Sequence, residues 1–288
     1  MKLTKYLFIT LFLFTSLFAN KIEFTLNNKK IENANVVLIT AKSQKHYNLK
    51  AILDDKEVSF SRHPFKKNHF YALIPFHYFL KQKTYQIIVT YKINKKEYFE
   101  GFDIDLKEEE FDKEHLRVNG SKVSLSTTNK KRVSQEYEHA MEVYSSVSYK
   151  NYWHEDFIYP IDSEITSDFG TKRVYNNITK SYHTGIDFKA QLNTDIYSSN
   201  SGIVKIASNR FYAGNSVIID HGQGIYTCYF HLNKIFVSTG DHVQRGDIIG
   251  LSGSTGRSTG PHLHFATFVN GIQINPLKLL AMLNNLND

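Results

Sequence analysis

The stretch Gly260-Pro-His-Leu-His-Phe-Ala-Thr-Phe-Val269 decides the fold of the C-terminal half of this 288-residue chain. Side chains two residues apart in an extended strand project to the same side of a sheet. The alternation therefore predicts a strand that carries His262 and His264 on one face. Its other face is mainly apolar, with Leu263, Phe265 and Val269. A strand of this kind indicates a half-buried β-sheet whose polar face holds paired imidazoles.

Two further segments carry side chains of the same chemistry, His183-Thr-Gly-Ile-Asp187 and Tyr229-Phe-His231-Leu. A hydrolytic zinc site needs three protein ligands and one open position, and two imidazoles with a carboxylate are a usual set. His183, Asp187 and His264 are able to supply that set. His231 and His262 then remain for proton transfer and charge stabilisation, which favours a catalytic site.

The local sequence around Gly185 argues against a helix between His183 and Asp187, because β-branched residues flank the glycine. A strand or loop edge also places both side chains on one side. A structural zinc site is the competing interpretation, but such sites are closed and usually rich in cysteine. The chain has one cysteine. The remaining histidines are interpreted as surface or hydrogen-bonded core residues: His46, His63, His69, His77, His115, His139, His154, His221 and His242.

The single cysteine, Cys228, excludes an internal disulfide. Strand alternation predicts that it lies on the face opposite His231, as a small buried apolar residue rather than a nucleophile. The glycine-rich loop 253–260 lacks the lysine and the strand-to-helix context of a phosphate-binding loop. Its glycines are expected to let the backbone run close to a substrate cleft.

From about Ile165 to Leu280 the chain resembles the LytM/lysostaphin-type zinc metalloendopeptidases, which cut peptide bonds in bacterial peptidoglycan. The matching motifs are many and occur in the same order. They are Ser167-Asp-Phe-Gly-Thr-Lys-Arg173, His183-Thr-Gly-Ile-Asp-Phe188, Val217-Ile-Ile-Asp-His-Gly222, Tyr229-Phe-His-Leu232, Gly240-Asp-His-Val-Gln-Arg-Gly246, Gly253-Ser-Thr-Gly-Arg-Ser-Thr-Gly-Pro-His-Leu-His-Phe265 and Ile274-Asn-Pro276.

The resemblance implies an antiparallel β-sheet with a groove, zinc bound by His183, Asp187 and His264, and catalytic histidines at 231 and 262. It implies hydrolysis of peptidoglycan crosslinks in wall remodelling or cell shape, with carboxypeptidase activity as a further possibility. The resemblance does not decide which bond is cut: the D-alanyl-diaminopimelate bond, a bond in a glycine bridge, or the bond to a terminal D-alanine. The alternative is a silent LytM-like module that binds wall or activates another hydrolase. Asn193-Thr-Asp-Ile-Tyr197 departs from the family's usual Gly-Thr-Pro-Val, in a turn outside the chemistry.

Residues 1–19 have the pattern of a secretory signal peptide, with Lys2 and Lys5 before a short apolar run that ends at Ala19. The run is shorter than the roughly 20 residues of a membrane span. No cysteine follows it, which excludes a lipoprotein anchor. We therefore expect an exported protein of the periplasm or cell envelope, with no transmembrane anchor after processing.

The positive charge lies entirely in the N-terminal half. Residues 20–150 hold 23 Lys/Arg against 17 Asp/Glu, a net of +6, whereas residues 151–288 hold 10 against 11, a net of −1. Basic surfaces attract anionic polymers, so an anionic envelope polymer and a simply solvated surface are both kept as interpretations. No motif that reads nucleic acid is present, and peptidoglycan peptide stems are the expected partner.

The organisation predicted is mainly β: signal peptide 1–19, N-terminal antiparallel β-domain 20–106 of sandwich type, linker with a helix 107–150, and catalytic domain 151–288. The helix is predicted over Asn129–Tyr149, capped by Thr128 or Asn129 and packed between the domains. Its apolar stripe is Val133, Tyr137, Met141, Tyr144 and Val147. Strands are predicted over 21–26, 35–40, 69–74, 84–93 and 97–104, and over 202–207, 216–220, 224–231 and 247–252.

The sequence leaves three roles open. Arg173 either holds a substrate carboxylate or forms a structural ion pair. Tyr229 either orients His231, whose strand face it shares by alternation, or is packing. The N-terminal half either restrains the catalytic groove or anchors the enzyme to the wall.

Overall fold

The computed structural model describes residues 22–122, 125–177 and 179–287. The predicted signal peptide, residues 1–19, lies outside the described residues. Within them no helix is both long and apolar enough to cross a membrane. The described chain is mainly β, as predicted, and its strands form two units that share a hydrophobic core.

The N-terminal unit is a sandwich of two sheets. Its first sheet has the order β1-β3-β7-β6 and its second the order β2-β9-β8-β4-β5. One pairing, β2 with β9, is parallel, so this unit departs from the purely antiparallel arrangement that was predicted. The strands are β1 (Glu23–Leu26), β2 (Lys30–Glu32), β3 (Asn35–Lys42), β4 (Lys50–Leu53), β5 (Lys56–Ser59), β6 (Ser61–Arg62), β7 (His69–Phe76), β8 (Lys83–Ile93) and β9 (Lys96–Lys107).

The first sheet is buried on both faces, which explains the nearly continuous apolar run of β7. On β3, Val37 and Ile39 point into the sandwich core. Val36 on the opposite face, together with Tyr71 and Leu73 of β7, joins the core of the C-terminal unit. The two units therefore pack through apolar side chains as well as through the linker.

The C-terminal unit is built on a sheet of order β11-β14-β22-β18-β17-β16-β20, with β23 paired to β22, and on a three-stranded sheet β15-β21-β19. A third small sheet joins linker strand β10 in parallel to β12, which pairs with β13. The elements are β10 (Lys113–Leu116), α1 (Thr127–Ser145), β11 (Ile165–Ser167), β12 (Lys172–Tyr175), β13 (Thr179–Tyr182), β14 (Ile186–Lys189), β15 (Asp195–Tyr197), β16 (Gly202–Arg210), β17 (Gly214–Asp220), β18 (Ile225–Leu232), β19 (Lys234–Ile235), β20 (His242–Val243), β21 (Ile248–Leu251), β22 (His262–Val269), β23 (Ile272–Ile274) and α2 (Pro276–Asn284).

The linker helix differs from its prediction in bounds and in packing. It begins two residues earlier because the Ser126 side chain accepts a hydrogen bond from the N–H of Asn129 and caps it. It ends at Ser145, so Val147 lies outside it, and Tyr137 is 63% exposed. Instead of lying between the units, α1 packs on the C-terminal sheet, where the Tyr144 ring stacks on Phe268 with centroids 3.7 Å apart.

A buried histidine holds the turn after β17. His221 is fully buried, with Nδ1 2.8 Å from the Ser201 carbonyl and Nε2 2.7 Å from the Thr227 hydroxyl. Both contacts suit a neutral ring that donates from Nδ1 and accepts at Nε2. Burial lowers the pKa of His221 to about 4, and the Ser201 carbonyl opposes this only in part.

We predict that His221 makes the fold sensitive to acid. An unfolded histidine has a pKa of about 6.5, so the unfolded chain takes up the proton first. The stabilising contribution is complete above that pH and is lost as pH falls through the window from about 6.5 to about 4. At about pH 5 the loss is on the order of 2 kcal/mol. The measurement is the free energy of unfolding in urea, for the wild type and for His221→Gln, at neutral pH and at about pH 5. Equal pH dependence of the two unfolding free energies would contradict the assignment.

Candidate metal centre and its groove

Two neighbouring strands bring the predicted ligands together. β14 and β22 are antiparallel, and Asp187 pairs directly with His264. Leu263, Phe265 and Val269 lie in the core on one side of β22, as the alternation predicted. His264 points to the opposite side, which α1 covers farther along the strand. His183 precedes β14, and its backbone N–H donates to the carbonyl of Thr171 at 2.7 Å.

Three electron-pair donors meet in a triangle. His183 Nε2 lies 2.9 Å from Asp187 Oδ1 and 2.9 Å from His264 Nδ1, and His264 Nδ1 lies 2.8 Å from Asp187 Oδ1. All three residues are buried. His183 Nδ1 lies 2.8 Å from the Asp168 carbonyl, to which it donates in the neutral ring. Nε2 then presents a lone pair to the carboxylate. Acceptors this close need a cation or a proton between them, and two imidazoles with a carboxylate are a donor set that zinc accepts.

The backbone passes the site without room for a side chain at Gly185. A Cβ at this position would lie 2.3 Å from the Phe265 carbonyl oxygen and 2.8 Å from His264 Nε2. The glycine between His183 and Asp187 is therefore required by close approach of the two strands.

The protonation states suit metal binding. Burial raises the pKa of Asp187, but the adjacent His183 and His264 rings outweigh it and hold the pKa well below its usual value. Burial lowers the pKa of His264 to about 4, and Asp187 opposes this only in part. Ionised carboxylate and neutral imidazole are the forms in which these groups bind zinc.

His231 reaches the site by a route that alternation does not predict. Its φ is 63°, in the left-handed region, next to an irregular pairing of β17 with β18. The ring therefore turns to the face of His264 and lies 4.8 Å, centroid to centroid, from the ring of His262. Burial, followed by the charges of His262 and His264, lowers the pKa of His231 to about 3.

Two predictions that rested on regular alternation in β18 are wrong. Tyr229 points into the core on the other side of the sheet, where its hydroxyl accepts from the Ser199 N–H at 2.8 Å, so it does not orient His231. Cys228 lies on the histidine face, under α1. It is fully buried, as predicted, and burial raises the pKa of its thiol to about 12, which keeps the sulfur protonated.

His231 and His262 are held in the same way. Nδ1 of His231 lies 2.8 Å from the Thr255 carbonyl, and Nδ1 of His262 lies 2.8 Å from the Gly260 carbonyl. Both carbonyls belong to the glycine-rich loop and fix Nδ1 as the donor of a neutral ring. Each Nε2 is then left for other chemistry, and that of His262 lies 3.7 Å from Asp187 Oδ1.

Arg173 supports Asp187 from behind. Its guanidinium donates to Asp187 Oδ2 at 2.7 Å and to the Ser167 hydroxyl at 2.9 Å, and it is also bonded to Glu114. Of the two roles considered for Arg173, the structure places it in the structural ion pair. Glu114 belongs to linker strand β10 and was not predicted at the site. Its only sequence signal is the acidic run before β10, because the parallel pairing with β12 is a long-range contact.

Open space lies on both sides of the histidines. A cavity of about 270 Å³ is lined by Asp187, His231, His262 and the linker residues Glu114 and Leu116. A second cavity of about 150 Å³ is lined by residues that include His183 and His264. Tyr182, Thr184, Tyr212 and Phe230 are shared with a cavity of about 770 Å³ beneath α1. Together these spaces form a groove along the histidine face of the sheet.

The fold and the site define a LytM-type peptidase domain. Residues 181–276 match the model of Peptidase family M23. This segment of the chain is therefore a Peptidase family M23 domain.

The names of similar proteins describe peptidases that act on peptidoglycan. Peptidoglycan DD-endopeptidase ShyA of Vibrio cholerae is 46% identical over 124 residues, which cover 42% of this chain and 29% of the relative. DD-carboxypeptidase/endopeptidase Mpg of Neisseria meningitidis is 38% identical over 117 residues, or 41% of this chain and 27% of the relative. The matched segments thus span less than a third of these relatives.

A solved structure from Pseudomonas aeruginosa that was assigned to peptidase family M23 covers most of the described fold. It aligns with 88% of this chain and 96% of its own, with a TM-score of 0.66 and 23% identity. At that identity the likeness is one of fold, and it includes the N-terminal unit.

We predict that Arg173 is needed for tight zinc binding, because it fixes Asp187 through Oδ2. Loss of a partner behind a metal ligand typically lowers metal affinity about 10- to 100-fold. Competition with a chelator should show a loss of this order for Arg173→Ala and a smaller one for Arg173→Lys. Arg245→Ala removes an ion pair with Glu155 elsewhere in the unit and is the control. Wild-type zinc affinity in Arg173→Ala would show that Asp187 needs no such support.

Proposed function

We propose that this protein is a zinc-dependent endopeptidase that hydrolyses peptide crosslinks of bacterial peptidoglycan, with carboxypeptidase activity on the same site. The observation that carries the proposal is the meeting of His183 Nε2, Asp187 Oδ1 and His264 Nδ1 within 2.9 Å of one another in a groove. The names of the relatives support the substrate class. The presence of all five residues favours an active enzyme over a silent module.

In this proposal His183, Asp187 and His264 hold the metal. A bound zinc ion supplies Lewis acidity, which lowers the pKa of a water molecule to about 7 and polarises a carbonyl group. His262, whose Nε2 lies 3.7 Å from Asp187 Oδ1, accepts the proton of the attacking water at Nε2. His231 Nε2 stabilises the developing oxyanion or gives a proton to the leaving amine. Because both rings have Nδ1 bound to a carbonyl, either ring can take either role.

The groove suits an extended peptide. Its walls come from the glycine-rich loop on one side and from the linker on the other, through Glu114, Leu116 and Val118. A peptide that lies along it passes over the histidines towards the cavity under α1. The linker is therefore part of the proposed substrate site.

We place the protein in the cell envelope, as an exported enzyme. The charged start and short apolar run of residues 1–19 support export, and peptidoglycan lies outside the cytoplasmic membrane. The net +6 of residues 20–150 supports a weak attraction to anionic envelope polymer, which salt would screen beyond roughly 10 Å at 0.1 M.

We propose that the linker, rather than the whole N-terminal half, restrains the groove. The first sheet of the sandwich contacts the apolar core behind the histidine face, whereas β10 and the residues after it border the groove. These contacts favour the linker, rather than the basic sandwich, as the part that controls access. Anchoring to the wall remains the role proposed for the sandwich.

We predict that His264→Ala loses stable zinc binding and activity, because two ligands hold zinc poorly. Metal analysis after dialysis should give about one zinc for the wild type and almost none for the variant. His242→Ala changes an exposed histidine of the same unit and should keep its zinc. Full zinc occupancy in His264→Ala would refute the ligand assignment.

We predict that His262→Ala and His231→Ala keep zinc but lose turnover. General acid-base catalysis typically contributes about 10²- to 10⁴-fold, so kcat on crosslinked peptidoglycan should fall by that order. Zinc content and thermal unfolding are the controls for each variant. A folded, zinc-loaded variant with the wild-type rate would remove that histidine from the mechanism.

A further inference from the structure

Arg257 is held in a fixed position beside the histidines. Its guanidinium carbon lies 4.1 Å from the ring centroid of Tyr175 and 4.4 Å from that of Tyr212. Its backbone N–H donates to the Tyr212 carbonyl at 2.8 Å. The preceding Gly256 has a φ of +80°, and a Cβ there would lie 2.4 Å from the same carbonyl oxygen. The loop is therefore pressed against Tyr212, and two aromatic rings hold the side chain.

The half-buried Arg257 side chain lines the space on both sides of the candidate metal centre. It borders the cavity of about 150 Å³ together with His183, His231 and His264. It also borders the cavity of about 270 Å³ together with Asp187 and His262. A ligand that reaches the histidines therefore lies next to the guanidinium.

The charge of Arg257 is not neutralised within the described part of the chain. There its guanidinium forms no ion pair and donates no hydrogen bond to a protein atom, whereas Arg173 is bound to Glu114, Asp187 and Ser167. Arg173 is thus occupied, and Arg257 is the arginine beside the histidines that is left for a ligand. A guanidinium presents its donors in a planar fork that matches a carboxylate, and aromatic faces keep that plane oriented.

We propose that Arg257 binds the carboxylate of the substrate residue that supplies the leaving amine. The inference rests on the proposed function and names its substrate class. In a D-alanyl-diaminopimelate crosslink, and in a terminal D-alanyl-D-alanine, the carbon next to the leaving nitrogen carries a free carboxylate. A bond within a glycine bridge carries none. Arg257 therefore selects the first two bonds and rejects the third.

The reaction itself is an ordinary hydrolysis. The oxygen of water bonds to the D-alanyl carbonyl carbon, the carbon-nitrogen bond breaks, and the leaving nitrogen gains a proton. The carboxylate on Arg257 is unchanged throughout. It orients the scissile bond and then leaves with the amine product.

The test pairs a change in the substrate with a change in the protein. The zinc-loaded full chain, Arg257→Gln and Arg257→Lys are assayed on crosslinked tetrapeptide dimers whose leaving-side carboxylate is free or converted to a carboxamide. A second pair of substrates is the pentapeptide ending in D-alanyl-D-alanine and its carboxamide. Arg62→Gln is the control, because Arg62 lies in the N-terminal unit. Its guanidinium carbon is also near an aromatic ring, 6.0 Å from the ring centroid of Phe70.

Loss of a hydrogen-bonded charge pair should lower kcat/KM by roughly 10- to 100-fold. The wild type and Arg62→Gln should lose that factor when the carboxylate becomes a carboxamide. Arg257→Gln should be slow on the free carboxylate and lose nothing further on the carboxamide. Arg257→Lys, which keeps charge without the fork, should fall between them. The pair of substrates that shows this loss of rate identifies whether the carboxylate belongs to diaminopimelate or to a terminal D-alanine.

Two results would overturn the proposal. The first is an equal rate of the wild type on the free carboxylate and on the carboxamide. The second is an undiminished loss of rate on the carboxamide in Arg257→Gln with normal zinc content and thermal unfolding. Failure of the wild type to cleave any unmodified substrate would instead refute the proposed peptidase function, and the inference would fall with it.

Discussion

The meeting of three electron-pair donors at His183, Asp187 and His264 is the constraint on which the rest of the structure depends. Two neutral imidazoles and a carboxylate do not lie within 2.9 Å of one another unless a cation or a proton joins them. The surroundings are arranged to hold them there. The Asp168 carbonyl fixes the ring of His183, Arg173 takes the second oxygen of Asp187, and Gly185 allows the strands to approach.

The division of the chain into two units follows from the same site. The histidine face of the C-terminal sheet must stay open to a ligand, so its apolar side chains are buried on the opposite face. There the first sheet of the sandwich contributes Val36, Tyr71 and Leu73 to the shared core. The linker also contributes to the site, because its residue Glu114 forms an ion pair with Arg173. The segment matched by the M23 model, residues 181–276, is thus only part of the structure that forms the groove.

The sequence was sufficient for those parts of the site that local periodicity determines. Alternation in β22 places His262 and His264 correctly, and the nine strands for which bounds were predicted begin and end close to those bounds. Alternation failed in β18. His231 has a left-handed backbone conformation beside an irregular pairing of β17 with β18, and this reverses the face on which its side chain lies. The faces predicted for Tyr229 and Cys228 relative to His231 were wrong for the same reason. The start of α1 was missed because Ser126, not a later residue, caps it. The roles of Glu114 and Arg257 depend on contacts between distant segments, which no local pattern encodes.

The central claim is that segments around 183–187 and 262–264 form one metal site, with His231 and His262 beside it rather than in it. Anomalous diffraction at the zinc absorption edge, from crystals of the zinc-loaded full chain, tests this most directly. We expect one strong peak bounded by His183 Nε2, Asp187 Oδ1 and His264 Nδ1. A peak bonded to His231 or His262, or no peak at this triangle in a protein that retains zinc, would contradict the account.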